Sequence, residues 1–151
     1  MNHLQSIILL FFICTIIIKN CKSEYPVNVS VKALWNLNMM AECELGYSAI
    51  TYNNYGCWCG AGGSGTPIDG IDECCMMHDE CYDAAIDRKI CYDVPYEYLD
   101  DYSWDCNNHV AYCKPNLTGC GKALCNCDKI VVDCWRKFEK PNKKPPCKKD
   151  F

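Results

Sequence analysis

The stretch YGCWCGAGGSGTPIDGIDECCMMHDECY, residues 55–82, contains the loop and the helix on which the fold depends. Its first half holds five glycines, too many for a regular element, so it is predicted to form a loop with unusual backbone angles. The second half changes to helix-forming residues, and Asp69 or Asp72 can cap a helix that runs to about Lys89. A glycine-rich loop therefore leads directly into a helix.

Four cysteines indicate how this helix packs. Cys74 and Cys81 are seven residues apart, and so are Cys127 and Cys134 in a second helix predicted at about 119–138. Residues at this spacing lie two turns apart on one face of a helix. Bonding Cys74 to Cys134 and Cys81 to Cys127 gives a consistent register for two antiparallel helices.

The same register brings a carboxylate to a histidine. It places His78 level with residue 130, and therefore within about one helical turn of Asp128. A carboxylate that holds one imidazole nitrogen leaves the other free to act as a base, as in hydrolases. A histidine in a disulfide-linked core is more often structural, but this one is followed directly by Asp79 and lies near the glycine loop. These neighbours favour a functional role.

The glycine loop also suggests a metal site. Calcium prefers about six to eight oxygen ligands, and a loop free of side-chain obstruction can direct several carbonyl oxygens at one ion. Asp79 is the carboxylate expected to complete such a site. The Cys57-x-Cys59 spacing raises zinc as an alternative, but oxidised cysteines do not coordinate metals. The sequence therefore favours calcium over zinc.

The composition favours a secreted, extracellular protein. Sixteen cysteines among 151 residues argue for an oxidising compartment in which disulfides persist. The apolar run at 7–18 predicts a cleaved signal peptide at 1–23, with an uncleaved signal anchor as the alternative. Cleavage after Ser23 leaves fourteen cysteines, an even number that could close seven disulfides. A propeptide at 24–32 and one domain at 33–151 complete this organisation.

Charge is unevenly distributed along the chain. The net charge is −4, whereas residues 136–150 contain seven lysines and arginines. This basic tail is either an ordinary solvated surface or a patch attracted to anionic lipid. No segment resembles a nucleic-acid-binding module or a nucleotide-cofactor site.

Two further elements are predicted. A helix begins at about Ala33, and its apolar residues Leu34, Trp35 and Leu37 form either a core surface or a lipid-contacting one. Between the two long helices, an aromatic and acidic segment is expected to contain a hairpin with its turn at Asn107-Asn108.

Taken together, residues 55–82 resemble the calcium loop and catalytic helix of secreted phospholipases A2 of group I, the pancreatic and elapid-venom type. The resemblance includes the CNCD run at 125–128 and fourteen cysteines from Cys43 to Cys147, and it covers the chain from Ala33 onward. It implies a mainly α, disulfide-rich fold with two long antiparallel disulfide-linked helices. An N-terminal helix, a calcium-binding loop and a small two-stranded β-wing complete the fold so implied.

The resemblance also implies an activity, the calcium-dependent hydrolysis of the sn-2 ester of glycerophospholipids to a fatty acid and a lysophospholipid. His78 would activate a water, and Asp128 would orient the imidazole. Tyr82 and Tyr102 would support Asp128 through hydrogen bonds. The partner so implied is the surface of a phospholipid membrane or micelle, which Leu34, Trp35 and Leu37 would contact.

The same resemblance implies a calcium-ligand set. Asp79 would bind through its carboxylate, and Trp58, Gly60 and Gly62 through their main-chain carbonyls. The N–H of Gly60 would help to stabilise the oxyanion. Trp58 stands where tyrosine is common in the family, a change that leaves a carbonyl ligand available. The implied disulfides are Cys43–Cys106, Cys57–Cys147, Cys59–Cys75, Cys74–Cys134, Cys81–Cys127, Cys91–Cys120 and Cys113–Cys125.

Two other classes of function compete with the enzyme. One is a venom-type toxin subunit or receptor-binding protein on the same scaffold, acting without hydrolysis, and the other is a purely structural disulfide-rich module. An inactive protein on this scaffold should tolerate loss of site residues, yet His78, Asp79, Asp128, Gly60 and Gly62 are all present. A purely structural module leaves that whole set unexplained. The sequence also contains Asn-x-Ser/Thr triplets at Asn28 and Asn116, where glycosylation is possible.

Overall fold

The computed structural model describes residues 32–92 and 101–147. The predicted signal peptide, and the propeptide apart from its last residue, lie outside these ranges and remain predictions. The described elements, in chain order, are helix α1 (Lys32–Leu45), a 3-10 turn (Ala49–Thr51), helix α2 (Gly70–Asp87), strands β1 (Trp104–Asn107) and β2 (Val110–Cys113), and helix α3 (Gly119–Trp135).

The two long helices have defined ends. Asp69 is the N-cap of α2, because its side chain accepts hydrogen bonds from the N–H groups of Ile71 and Asp72. The helix ends two residues before the predicted Lys89, which adopts a left-handed conformation with φ 56°. Helix α3 likewise ends earlier than predicted, at Trp135. Both predictions of helix type are confirmed, and the errors are confined to the C-terminal ends.

Seven disulfides cross-link the described chain, and they are the same seven pairs that the resemblance implied. Two of them, Cys74–Cys134 and Cys81–Cys127, join α2 to α3 in the antiparallel register inferred from the cysteine spacing. The others are Cys43–Cys106, Cys57–Cys147, Cys59–Cys75, Cys91–Cys120 and Cys113–Cys125. This set of cross-links fits an oxidising, extracellular environment.

Strands β1 and β2 form a two-stranded antiparallel sheet in which Asn107 pairs with Val110. The turn is therefore Asn108-His109, one residue later than the predicted Asn107-Asn108. Both turn residues have positive φ, 50° and 59°, as a two-residue hairpin turn of the I′ type requires. Asparagine adopts this left-handed conformation readily. The strand register places His109 at the second turn position, so the histidine adopts it as well.

Helix α1 is joined to α3 and to the sheet by a buried carboxylate. The side chain of Glu44 is 0% exposed and lies 3.1 Å from both Lys129 Nζ and an Arg136 guanidinium nitrogen, two groups of α3 and its C-terminal end. It also accepts a hydrogen bond of 2.9 Å from the Ala111 N–H in β2. Among the described residues, no helix is long and apolar enough to cross a bilayer.

Candidate active site

The site is built around a hydrogen bond between the two long helices. Nε2 of His78, on α2, lies 2.7 Å from Oδ1 of Asp128, on α3. The Asp128 carboxylate is completely buried, while the His78 side chain is 12% exposed. Because a carboxylate only accepts hydrogen bonds, Nε2 carries the hydrogen, and in the neutral ring Nδ1 holds the free lone pair.

Two tyrosines satisfy the remaining acceptor capacity of Asp128. The hydroxyl of Tyr82 donates to Oδ1 at 2.8 Å, and that of Tyr102 donates to Oδ2. Burial and the negative charge of Asp128 raise the pKa of Tyr102 far above its ordinary value, so its hydroxyl remains a donor. The carboxylate is thus held in one orientation by three groups, two from α2 and one from the segment before β1.

The other imidazole nitrogen lies on the side of Asp79. Nδ1 of His78 is 3.7 Å from Oδ1 of Asp79, whose side chain is 31% exposed. Burial lowers the pKa of His78, but the carboxylates of Asp128 and Asp79 raise it more, and the pKa rises from 6.5 to about 9. In the protein without bound cations, the two carboxylates therefore favour the protonated form of the ring.

The glycine loop is held against the start of α2 by Asp72. Its buried carboxylate accepts hydrogen bonds from the N–H groups of Cys57 and Trp58, both at 2.8 Å, and of Ile68 at 3.0 Å. Gly56 makes this possible, because a Cβ there would lie 2.3 Å from the Asp72 carboxyl carbon. Of the two possible caps, Asp69 caps the helix and Asp72 anchors the loop.

The anchored loop, α1 and α2 together enclose a cavity of about 550 Å³. His78 and Asp79 lie on its wall, beside the loop residues Trp58, Gly60 and Gly62. The other walls are formed by α1, by the 3-10 turn and by Trp135 at the end of α3. The indole of Trp135 stacks on the ring of Tyr52 with 4.0 Å between ring centroids. The apolar lining includes Leu34, Leu37, Ala49, Ile50, Tyr52 and Trp135. A histidine–aspartate pair thus opens into a largely apolar space.

At one end of the cavity, the glycine loop lies close to the Asp79 carboxylate. Among residues 32–92 and 101–147, no three His, Cys, Asp or Glu side chains converge as a metal-binding group, so a cation would depend on main-chain oxygens. The loop passes so close to Asp79 that a Cβ at Gly63 would lie 2.9 Å from its Oδ2. Gly60 and Gly62 have φ of 135° and 77°, which glycine adopts most easily.

Comparison with known proteins identifies the family. A sequence model of the family described as Phospholipase A2 matches residues 34–145, which include every residue of the site. The chain belongs to the phospholipase A2 family. It is an enzyme of the secreted, group I type, as the similarity to named phospholipases A2 also shows.

Three relatives illustrate this similarity. The Bos taurus protein named Phospholipase A2 is 41% identical over 111 residues, which cover 70% of this chain and 75% of that protein. Basic phospholipase A2 nigroxin A of Micrurus nigrocinctus is 41% identical over 110 residues, or 73% and 90% of the two chains. The acidic phospholipase A2 homolog taipoxin gamma chain of Oxyuranus scutellatus scutellatus is 43% identical over 99 residues, or 64% and 65%.

The mouth of the cavity in this phospholipase A2 has an exposed apolar rim. Leu34 is 42% exposed and Ile50 70% exposed, and both also line the cavity. Trp35 is 66% exposed on the same helix, whereas Leu37 is only 8% exposed and lies within the cavity wall. Nζ of Lys144, from the basic tail, donates to the carbonyl of Ile50 at 3.1 Å.

The structure brings together His78, Asp128, Tyr82 and Tyr102, and it places Asp79 beside the loop glycines. Three contributors were not predicted from the sequence, namely the loop anchor Asp72, the aromatic stack at the cavity wall and Ile50 at the rim. An acidic residue in the first turn after a glycine loop was visible in the sequence. Whether it caps the helix or binds the loop depends on how the loop folds back. No local pattern marked the other two.

Proposed function

We propose that this phospholipase A2 hydrolyses the sn-2 ester of glycerophospholipids in a calcium-dependent reaction. The observation that carries the proposal is the 2.7 Å hydrogen bond from His78 Nε2 to the buried Asp128 carboxylate, which leaves Nδ1 on the cavity side. Neutral Nδ1 accepts a proton from a water, and the oxygen of that water attacks the ester carbonyl carbon. The bond to the glycerol oxygen then breaks, and His78 returns the proton to that oxygen.

The residues around His78 support this role. Asp128 fixes the ring and stabilises the imidazolium that forms when Nδ1 is protonated. Tyr82 and Tyr102 keep the carboxylate in place, so that the ring does not rotate away from the substrate. No covalent bond between enzyme and substrate is needed, because water is the nucleophile.

We infer that calcium is the cofactor of this site. Asp79 and the main-chain carbonyls of Trp58, Gly60 and Gly62 would hold it, and the donor set is the hard oxygen set that calcium prefers. Bound calcium supplies Lewis-acid polarisation of the ester carbonyl and neutralises developing negative charge. The N–H of Gly60, in the same loop, is proposed as a donor to the oxyanion.

We infer that the apolar rim meets a phospholipid membrane or micelle surface. Leu34 and Ile50 expose apolar surface at the cavity, where an acyl chain would leave the lipid layer, and Trp35 adds exposed apolar surface on the same helix as Leu34. Lys144 lies beside Ile50, and Lys140 lies 4.6 Å above the ring of Tyr47. Lys144, a cation of the basic tail, therefore lies at the rim, where it favours contact with anionic head groups.

The test is release of fatty acid from phospholipid vesicles, with and without a calcium chelator. His78→Gln should reduce kcat by about 10²- to 10⁴-fold, the range for loss of a general base, while calorimetry shows calcium binding preserved. His109→Gln, at an exposed histidine in the hairpin turn, is the matched control and should retain wild-type turnover.

A second pair of variants tests the cation. Asp79→Asn should lose both calcium binding and turnover, whereas Asp83→Asn, at an exposed position on the same helix, should lose neither. Hydrolysis that persists in chelator contradicts the calcium dependence. No hydrolysis by correctly oxidised protein would favour a binding protein on the same scaffold.

A further inference from the structure

The turn that precedes α3 presents an unused asparagine to solvent. Asn116 lies in a turn closed by a 3.2 Å hydrogen bond from the Leu117 N–H to the Lys114 carbonyl, and it is exposed. Within the described residues, the structure gives its side-chain amide no hydrogen-bond partner. The disulfides of Cys113 and Cys120 hold the chain on either side of the turn.

The hydroxyl two residues later is also free. Thr118 occupies the N-cap position of α3, where threonine side chains commonly bond to the first helical N–H groups. Here the residue is extended, with φ −135° and ψ 167°, and its side chain makes no capping hydrogen bond. Thr118 is exposed as well. The triplet Asn116-Leu117-Thr118 thus keeps both of its recognition groups accessible, and no proline interrupts it.

The residues of the turn do not line the catalytic cavity. The turn lies at the N-terminal end of α3, whereas Trp135, at the other end of that helix, lines the cavity. With a rise of about 1.5 Å per residue, the two ends of α3 are about 24 Å apart. A bulky group on Asn116 would therefore extend from the N-terminal end of α3, about 24 Å along the helix from the part of the cavity wall that Trp135 forms.

We propose that Asn116 is an N-glycosylation site. In the secretory pathway, the amide nitrogen Nδ2 forms a bond to the anomeric carbon of the first sugar of a lipid-linked oligosaccharide. The bond between that carbon and the diphosphate oxygen breaks, the lipid diphosphate leaves, and the amide loses one of its two protons. The product is a hydrophilic chain on a surface turn that does not line the cavity, and it increases the solubility of the protein.

The experiment is expression of the full chain in an animal cell line and peptide mapping of the secreted protein. Peptide N-glycosidase should lower its mass and leave aspartate at position 116. Asn116→Gln and Thr118→Ala should each abolish that mass change, and Thr118→Ser should retain it because serine keeps the hydroxyl. Asn142→Gln, at an exposed asparagine outside any Asn-x-Ser/Thr triplet, is the matched control and should leave glycosylation intact.

Enzyme activity separates this inference from the proposed reaction. Secreted Asn116→Gln should hydrolyse vesicles at the wild-type rate, because the turn does not touch the cavity. The wild-type peptide map decides the matter even if a variant fails to fold. An unmodified Asn116 in secreted, correctly oxidised protein overturns the proposal, and so does a glycan found only at Asn28.

Discussion

Replacing Asp72 with asparagine tests how far one buried carboxylate organises the catalytic loop. Asparagine has nearly the same shape as aspartate, but it is neutral and offers one oxygen instead of two. Asp72 is completely buried and accepts three main-chain hydrogen bonds. Asp72→Asn therefore removes charge and acceptor capacity without creating a cavity.

The magnitude follows from the geometry. If the amide oxygen occupies the Oδ2 position, it keeps the bonds from Cys57 and Ile68, while the Trp58 N–H faces an NH₂ group. A hydrogen bond to a charged group contributes about 1.5–3 kcal/mol, and a buried donor without a partner costs about 1–3 kcal/mol. Gly56 lies so close that no space exists for a compensating shift. Because losing the bond from Trp58 and leaving its donor unpaired are partly the same cost, the expected loss of unfolding free energy is about 2–4 kcal/mol.

The assay is guanidinium unfolding at neutral pH with disulfides intact, combined with calorimetric titration of calcium. Asp72→Asn should unfold at lower denaturant with an unchanged m-value, and its loosened loop should bind calcium more weakly. Asp83→Asn, the same substitution at an exposed position of α2, should change the unfolding free energy by less than about 0.5 kcal/mol. The reasoning is refuted if the two variants are equally stable.

Three further predictions concern the ring, the loop and α1. Titration of His78 by NMR in calcium-free protein should give a pKa near 9, and Asp128→Asn should lower it. Because the pKa of about 9 in the folded protein exceeds the ordinary histidine value of 6.5, protonation of His78 stabilises the fold fully below pH 6.5, and this contribution is lost as pH rises through 9. Measurement of the unfolding free energy at several pH values would reveal the loss. Gly63→Ala would place a Cβ 2.5 Å from an indole carbon, so calcium titration should show weaker binding; equal affinity contradicts a tight loop. Glu44→Gln leaves two cations without their buried partner and should lower the free energy of unfolding, measured by chemical denaturation, by about 1–3 kcal/mol. This loss is smaller than that expected for a fully buried pair, because both cations are partly exposed. Glu80→Gln, at an exposed position, is its control, and a similar effect of both would contradict the reasoning.

The pairing of the two long helices was predictable because it depends on helical geometry alone. A spacing of seven residues recurs in Cys74/Cys81 and Cys127/Cys134, and helical rise then places Asp128 near His78. The hairpin turn was displaced by one residue because strand register depends on cross-strand pairing. Leu37, grouped in sequence with Leu34 as an interfacial residue, lies in the cavity wall because α1 packs against α3.

By itself, the sequence determined the helix types, the register of α2 on α3, the glycine loop and the identity of the groups that could carry chemistry. Only the tertiary structure decided that Nε2 of His78 contacts Asp128 while Nδ1 lies towards Asp79. It also assigned helix capping to Asp69 and loop anchoring to Asp72. The physical reason is that periodicity reflects local backbone geometry, whereas ring orientation and carboxylate partners depend on side-chain rotamers and on contacts between residues far apart in the chain.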